Sequence, residues 1–154
     1  MTTSSAHRHR QLRTWFRHPA GQAVLERERE WLDGLLPDLF GYYLVEVGNP
    51  GCPDRLRSTR VRHAFRMALG GSDWDPGALP TVHGEADALP FDSEAVDVLV
   101  LSHVLEFEEA PHAVLAEAER VLRPEGHLLV LNFNSASHWQ FWRWLEPARG
   151  ARRP

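Results

Sequence analysis

The fold is decided by residues 84–133, which read GEADALPFDSEAVDVLVLSHVLEFEEAPHAVLAEAERVLRPEGHLLVLNF. Residues 96–101 are almost continuously apolar, which is typical of a strand buried on both faces of a parallel sheet. Residues 111–123 place apolar side chains at helical spacing behind an N-terminal proline. Residues 127–133 then form a second strand of the doubly buried kind. Strand, helix and strand in this order predict a right-handed parallel crossover.

The residues before this stretch predict one helix and further strands. Apolar residues at helical spacing between Pro19 and Pro37 indicate an amphipathic helix. Runs rich in strand-forming residues predict strands at 42–47 and 61–69, followed by a very short strand at 81–83. The sequence therefore predicts an α/β fold with a doubly wound, mostly parallel sheet.

Length and charge distribution suggest how the chain is divided. A 154-residue chain can bury roughly 68–70% of its unfolded surface, so one core is enough. We assign a basic arm to 1–18, an α/β domain to 19–145 and a flexible tail to 146–154. The arm contains arginine and histidine but no acid, which favours a solvated segment; an organellar transit peptide is the less favoured interpretation.

Composition argues against several classes of function. The formal net charge of −4 gives no electrostatic basis for nucleic-acid binding. No apolar run approaches the ~20 residues that a membrane-spanning helix needs. The single cysteine, Cys52, cannot form an internal disulfide, which fits a cytoplasmic location. The histidines lack the spacing of a zinc site, so no metal is predicted.

Polar residues follow the apolar strands. In an open parallel sheet, ligands lie beyond the carboxyl ends of the strands. The residues after the first, fourth and fifth strands are therefore the candidate site residues. They are Glu46 with Gly48, Asn49, Pro50 and Gly51, then Ser102 with His103 and Glu106, and finally Asn132 with Asn134.

Three ordered motifs make the chain resemble the class I S-adenosylmethionine-dependent methyltransferases, of the bacterial type-11-like kind. They are the acidic Leu-Pro-Phe turn at 84–91, the strand at 96–102 and the helix end and turn at 120–128. A chance match would rarely keep both order and spacing. The resemblance implies a Rossmann-like fold, S-adenosylmethionine as cofactor and transfer of its methyl group.

The resemblance also implies which residues bind that cofactor. Glu85 would hydrogen-bond the adenine amino group beside Ala86 and Asp87, and Glu46 would face the ammonium group. Asp73 is the carboxylate available for the ribose hydroxyls, although an ordinary turn residue is the simpler interpretation. The remaining predicted contacts are Gly48, Asn49, Gly51 and Ser102.

The implied reaction is an in-line displacement of the sulfonium methyl group, driven mainly by positioning. His103 is the candidate general base because an unperturbed imidazole has a pKa of ~6.5. A polar cap at the strand end without chemistry is an equally good interpretation of the same residue. A nicotinamide-dependent oxidoreductase is disfavoured because it would need G-x-G-x-x-G after the first strand.

Two departures from the family pattern favour an alternative function. Pro50 stands at the second glycine position and removes an N–H donor, and Cys52 stands at the third. The family's final strands also have no counterpart at 146–154. The alternative is a non-catalytic, methyltransferase-like interaction module that has lost tight cofactor binding.

Expected partners follow from these two functions. The enzyme would act on a small-molecule acceptor, with no nucleic acid or membrane involved. Residues 138–145 predict a short aromatic helix, and an incomplete sheet would expose a strand edge. Either feature could support a homo-oligomer.

Overall fold

The computed structural model describes residues 3–48, 51–52, 54–69 and 79–133, with only the backbone for residues 3–6. Within them the chain forms an α/β fold with helices on both faces of one sheet. The helices are α1 (Thr3–Phe16), α2 (Pro19–Leu35) and α3 (Pro111–Val121), and a 3-10 turn at Leu36–Asp38 continues α2. The strands are β1 (Tyr43–Val47), β2 (His63–Leu69), β3 (Thr81–Gly84), β4 (Val96–Ser102) and β5 (Leu122–Leu131).

The sheet has the order β3-β2-β1-β4-β5, and every neighbouring pair is parallel. The predicted Rossmann-like, doubly wound fold is therefore confirmed. The strand order reverses between β1 and β4, where Val47 pairs with Leu101. Such a reversal opens a crevice at the carboxyl ends of the two strands, where ligands bind in sheets of this kind.

Both faces of the central strands are covered. Val114 and Ala118 of α3 pack on one face, in a core with Leu99 of β4. Leu32 of α2 packs on the other face, in a core with Leu44 of β1. Because each face has its own helix, β1 and β4 are buried along almost their whole length, as their apolar runs predict.

The fifth strand differs from the prediction. It begins at Leu122 and runs through the Pro-Glu-Gly turn. Its pairing with β4 shifts register between Val96 and Val98 of β4. Leu128 and Val130 are each 37% exposed, so β5 is not buried on both faces. The reason is that β5 lies at the edge of the described sheet, and these two side chains fall outside the core that α3 covers.

The solvated arm predicted for residues 1–18 is also corrected in part. Thr3–Phe16 forms α1, and its Leu12 and Phe16 are buried against Leu25 and Phe107. Their spacing of four residues puts both side chains on one helical face, a signal that the surrounding arginines obscured. The aromatic helix expected at 138–145 and the tail at 146–154 lie outside the described residues, and the domain boundaries stay predictions.

Candidate functional site at the ends of β1 and β4

A group of charged side chains lies at the carboxyl ends of β1 and β4, and we call it the charge cluster. Removing charges from water costs several kcal/mol per ion unless they are paired. The cluster supplies both signs, so each charge has an opposite charge nearby. Its members are Glu28, Glu46, Arg55, Arg66, His103 and Glu106.

Glu46 is the carboxylate that β1 contributes. Ser102 Oγ donates to Glu46 Oε1 at 3.0 Å, and Arg66 Nε donates to Oε2 at 3.3 Å. Glu46 and Arg66 are direct neighbours in the β1–β2 register, so the sheet itself brings them together. Arg66 also donates to the carbonyl oxygen of Cys52 at 2.9 Å. The fully buried Glu46 is therefore already hydrogen-bonded on both oxygens.

Glu28 reaches the cluster from α2. Its Oε1 lies 2.8 Å from His103 Nε2, and its Oε2 accepts a hydrogen bond from Arg55 Nη2 at 3.0 Å. Glu28 was not among the predicted site residues, because acids alternate with arginines along this part of α2. One signal was present: Glu28 lies three residues after Leu25 and four before Leu32, both of which are buried. It therefore shares the inward face of the helix.

His103 is completely buried and adopts a positive φ of 54°. Its Nδ1 lies 2.9 Å from Glu106 Oε1, so both ring nitrogens have carboxylate partners. Burial opposes the charged form, but the hydrogen bonds to Glu106 and Glu28 outweigh it and raise the pKa of His103. Neither nitrogen is placed to take a proton from a substrate here. The general-base role stays a prediction, and this geometry disfavours it.

Arg55 is the least satisfied member of the cluster. Its side chain is fully buried, and Nη1 lies 3.7 Å from Glu46 Oε1, beyond hydrogen-bonding distance. Nε and Nη1 find no hydrogen-bond partner among the described residues. A buried donor without a partner costs about 1–3 kcal/mol. Nothing local in the sequence marks Arg55 as a site residue.

The other predicted cofactor residues fall into three groups. Gly48 and Ser102 lie beside the cluster; Gly48 has a φ of +86°, and a Cβ there would come within 2.7 Å of the Ser102 carbonyl oxygen. Glu85 follows β3 at the same edge of the sheet. Ala86 is buried beside it, while Glu85 and Asp87 are exposed, as is Gly51. Asn49, Pro50, Asp73 and Asn134 lie outside the described residues.

The acidic turn that carries Glu85 is held by α3. Arg120 donates to the carbonyl oxygens of Leu89 at 3.0 Å and Phe91 at 2.9 Å. Glu117 accepts a hydrogen bond from the Leu89 backbone N–H at 2.9 Å. Arg120 also hydrogen-bonds Glu117 and lowers the pKa of that carboxyl. The turn motif and the helix-end motif are thus two halves of one local structure.

A cavity of about 530 Å³ lies next to the cluster, between α2 and the end of β5. Its volume is in the range of small-molecule sites. Glu28 therefore belongs both to the charge cluster and to the wall of this cavity. The wall consists of Arg27, Glu28, Glu30, Trp31 and Leu131.

No helix in the described part of the chain is long and apolar enough to span a membrane. The His, Cys, Asp and Glu residues in that part of the chain form no group that could hold a metal ion.

Part of the chain matches a known protein family. Residues 58–130 match the family described as methyltransferase domain. A chain in the structure of the complex between the Haloferax volcanii Trm112 methyltransferase activator and a methyltransferase has the same fold. Its TM-score is 0.64 and its identity 23%, over 85% of this chain and 63% of that one. The resemblance to class I S-adenosylmethionine-dependent methyltransferases is confirmed over the matched residues.

Two curated proteins are similar to parts of this chain. The uncharacterized protein YafS of Escherichia coli strain K12 is 29% identical over 123 residues, which are 80% of this chain and 49% of YafS. The ubiquinone/menaquinone biosynthesis C-methyltransferase UbiE of Roseobacter denitrificans is 45% identical over 56 residues, 36% of this chain and 22% of UbiE. The chain thus spans about half of YafS and a smaller part of UbiE.

Proposed function

We propose that this protein is an S-adenosylmethionine-dependent methyltransferase that acts on a small-molecule acceptor. The observation that carries the proposal is the charge cluster at the β1–β4 crevice, in which buried carboxylates stand beside the Arg55 guanidinium, whose Nε and Nη1 atoms have no hydrogen-bond partner among the described residues. The amino-acid end of the cofactor is a zwitterion and needs partners of both signs. The residues present therefore suit that end of the cofactor.

The remaining predicted contacts support the same assignment. Gly48 directly follows β1 with a φ of +86°, and a Cβ there would meet Ser102 and Val104, so only glycine lets the loop that would face the cofactor pack against the end of β4. The exposed Glu85, on the turn fixed by Arg120, could accept a hydrogen bond from the adenine amino group. When bound, the cofactor supplies an activated methyl group. The task of the chain is then to position that group and keep water away from it.

The acceptor would enter the cavity beside Glu28. That cavity combines charged side chains with the indole of Trp31 and the apolar Leu131. A pocket of this size and mixture suits a small polar molecule with an apolar part. Because Glu28 also belongs to the charge cluster, acceptor and cofactor would lie on neighbouring sides of one helix.

A transfer assay tests the proposed function. The chain is incubated with S-adenosylmethionine and a small-molecule extract, and S-adenosylhomocysteine production is measured. We expect production above that of the extract alone, with a clear loss in Glu85→Ala and none in Glu119→Ala, an exposed acid on α3. Production that is the same with and without the chain would contradict the proposal.

One observation favours the alternative, a non-catalytic interaction module. Both oxygens of Glu46 are occupied by Ser102 and Arg66, and the side chain is fully buried. An ammonium group would have to displace or share one of these bonds. A folded chain that binds no cofactor would support this alternative.

A further inference from the structure

Arg55 has hydrogen-bonding capacity that the chain itself does not use. Its Nη2 is taken by Glu28, while Nε and Nη1 have no hydrogen-bond partner among the described residues. Arginine N–H groups recognise carboxylates with charge-assisted hydrogen bonds, which are about twice as strong as neutral ones. We propose that Arg55 binds the carboxylate of the ligand's amino-acid end and that Glu28 positions Arg55. This inference rests on the proposed function.

The balance of charge explains why a zwitterion fits better than a simple anion. Three carboxylates in the cluster (Glu28, Glu46 and Glu106) face two guanidinium groups and the His103 ring. With that ring protonated, the formal charges cancel. An added anion would leave a buried net charge, which is costly. A group that brings one positive and one negative charge leaves the balance unchanged.

Glu28 holds Arg55 in place through a contact between distant parts of the chain. One oxygen of Glu28 binds Arg55 Nη2 and the other binds His103 Nε2, so both oxygens of the carboxylate are held in place. The long arginine side chain is thereby ordered before a ligand arrives, which lowers the entropic cost of binding. Glu28 lies on α2, outside the residues that match the methyltransferase family.

Two ligands that differ only in the carboxylate measure what that group contributes to binding. S-adenosylhomocysteine and its decarboxylated form differ only in that group, so the ratio of their affinities for the full chain reports what the carboxylate contributes. We expect calorimetry to show at least tenfold tighter binding of S-adenosylhomocysteine, because a charged hydrogen-bonding group has this order of effect. Equal affinities for the two ligands would overturn the inference while leaving the proposed function intact.

Two variants assign the effect to these residues. Arg55→Lys keeps the charge but not the planar group, and Glu28→Gln keeps the size of the side chain; each should reduce the affinity ratio towards one. Arg57→Lys is the matched control on the same turn, with a 61% exposed side chain that pairs with Asp33 at 3.6 Å, and it should keep the wild-type ratio. An unchanged ratio in folded Arg55→Lys would overturn the inference. Binding of neither ligand by the folded wild-type chain would overturn the proposed function as well.

Discussion

Glu28 on α2 lies 2.8 Å from the Nε2 atom of His103, a residue 75 positions further along the chain. Glu106 occupies the other ring nitrogen at 2.9 Å. A single imidazole ring therefore joins the N-terminal helices to the end of β4. Because the ring is buried and its charge is supported by both carboxylates, this contact should make folding sensitive to pH.

We predict that the protein loses stability as the pH rises from neutral. The pKa of His103 is raised in the folded state, so the folded chain holds a proton that the unfolded chain releases. The stabilisation is fully present below about pH 6.5, the ordinary pKa of histidine, and is lost as the pH rises through the folded-state pKa. Urea unfolding at pH 6.5 and pH 9 measures the difference.

The matched variants for this prediction are His103→Gln and His127→Gln. His103→Gln should lower the free energy of unfolding at pH 6.5 by about 1–3 kcal/mol and flatten its decline with pH. His127 is exposed on β5, so its variant should keep the wild-type pH profile. An equally steep decline in His103→Gln would show that another group is responsible.

Phe16→Ala should destabilise the protein strongly. The Phe16 side chain is buried between Leu25, Phe107 and the His103 ring, whose centroid lies 5.1 Å away. Replacing a buried phenylalanine with alanine costs about 3–5 kcal/mol. Thr14→Ala, at an exposed position of the same helix, should change the free energy of unfolding by less than about 0.5 kcal/mol. Equal stabilities of the two variants would contradict the docked position of α1.

Alanine should have opposite effects at two glycines. At Gly48 the φ is +86° and the new Cβ would meet Ser102 and Val104 at 2.7 Å, so we expect a loss of at least about 1–3 kcal/mol. At Gly34, on α2, a Cβ has open space, and alanine should stabilise the helix by about 0.5–1 kcal/mol. Thermal unfolding of both variants checks the prediction, and a neutral Gly48→Ala would refute the described backbone.

Arg120→Ala should loosen the acidic turn. The side chain donates hydrogen bonds to two carbonyl oxygens of the turn, and because it is partly exposed we expect only a small loss of stability. Cofactor affinity should fall as well, since Glu85 would be less well positioned. Arg10→Ala, at an exposed position of α1, is the control. Loss of stability without loss of affinity would separate the turn from cofactor binding.

The sheet could be predicted from sequence because its strands are set by local patterns. The apolar runs at β1 and β4 and the Pro111 helix start each carry their own signal. The edge position of β5 carries no such signal, because exposure depends on which elements pack beside a strand. For that reason Leu128 and Val130 were wrongly expected to be buried.

The site could be predicted only where its residues follow strands. Glu46, Ser102 and His103 are polar residues at strand ends, and the structure brings them together. Arg55 and Glu28 also belong to the site. They contact each other across 27 residues of sequence, and no local sequence pattern predicts such a contact. The role expected of His103 also depended on its partners. A histidine whose two ring nitrogens are both bound by carboxylates is not placed to accept a proton from a substrate, whereas one that faces an open site is.

The most direct test of the central claim is calorimetric titration of the folded, full chain with S-adenosylhomocysteine. Circular dichroism first establishes that the chain is folded. The proposed function predicts saturable binding of one ligand per chain, weakened by Glu85→Ala and unaffected by Glu119→Ala. No binding by the folded chain would contradict it and would favour a non-catalytic module.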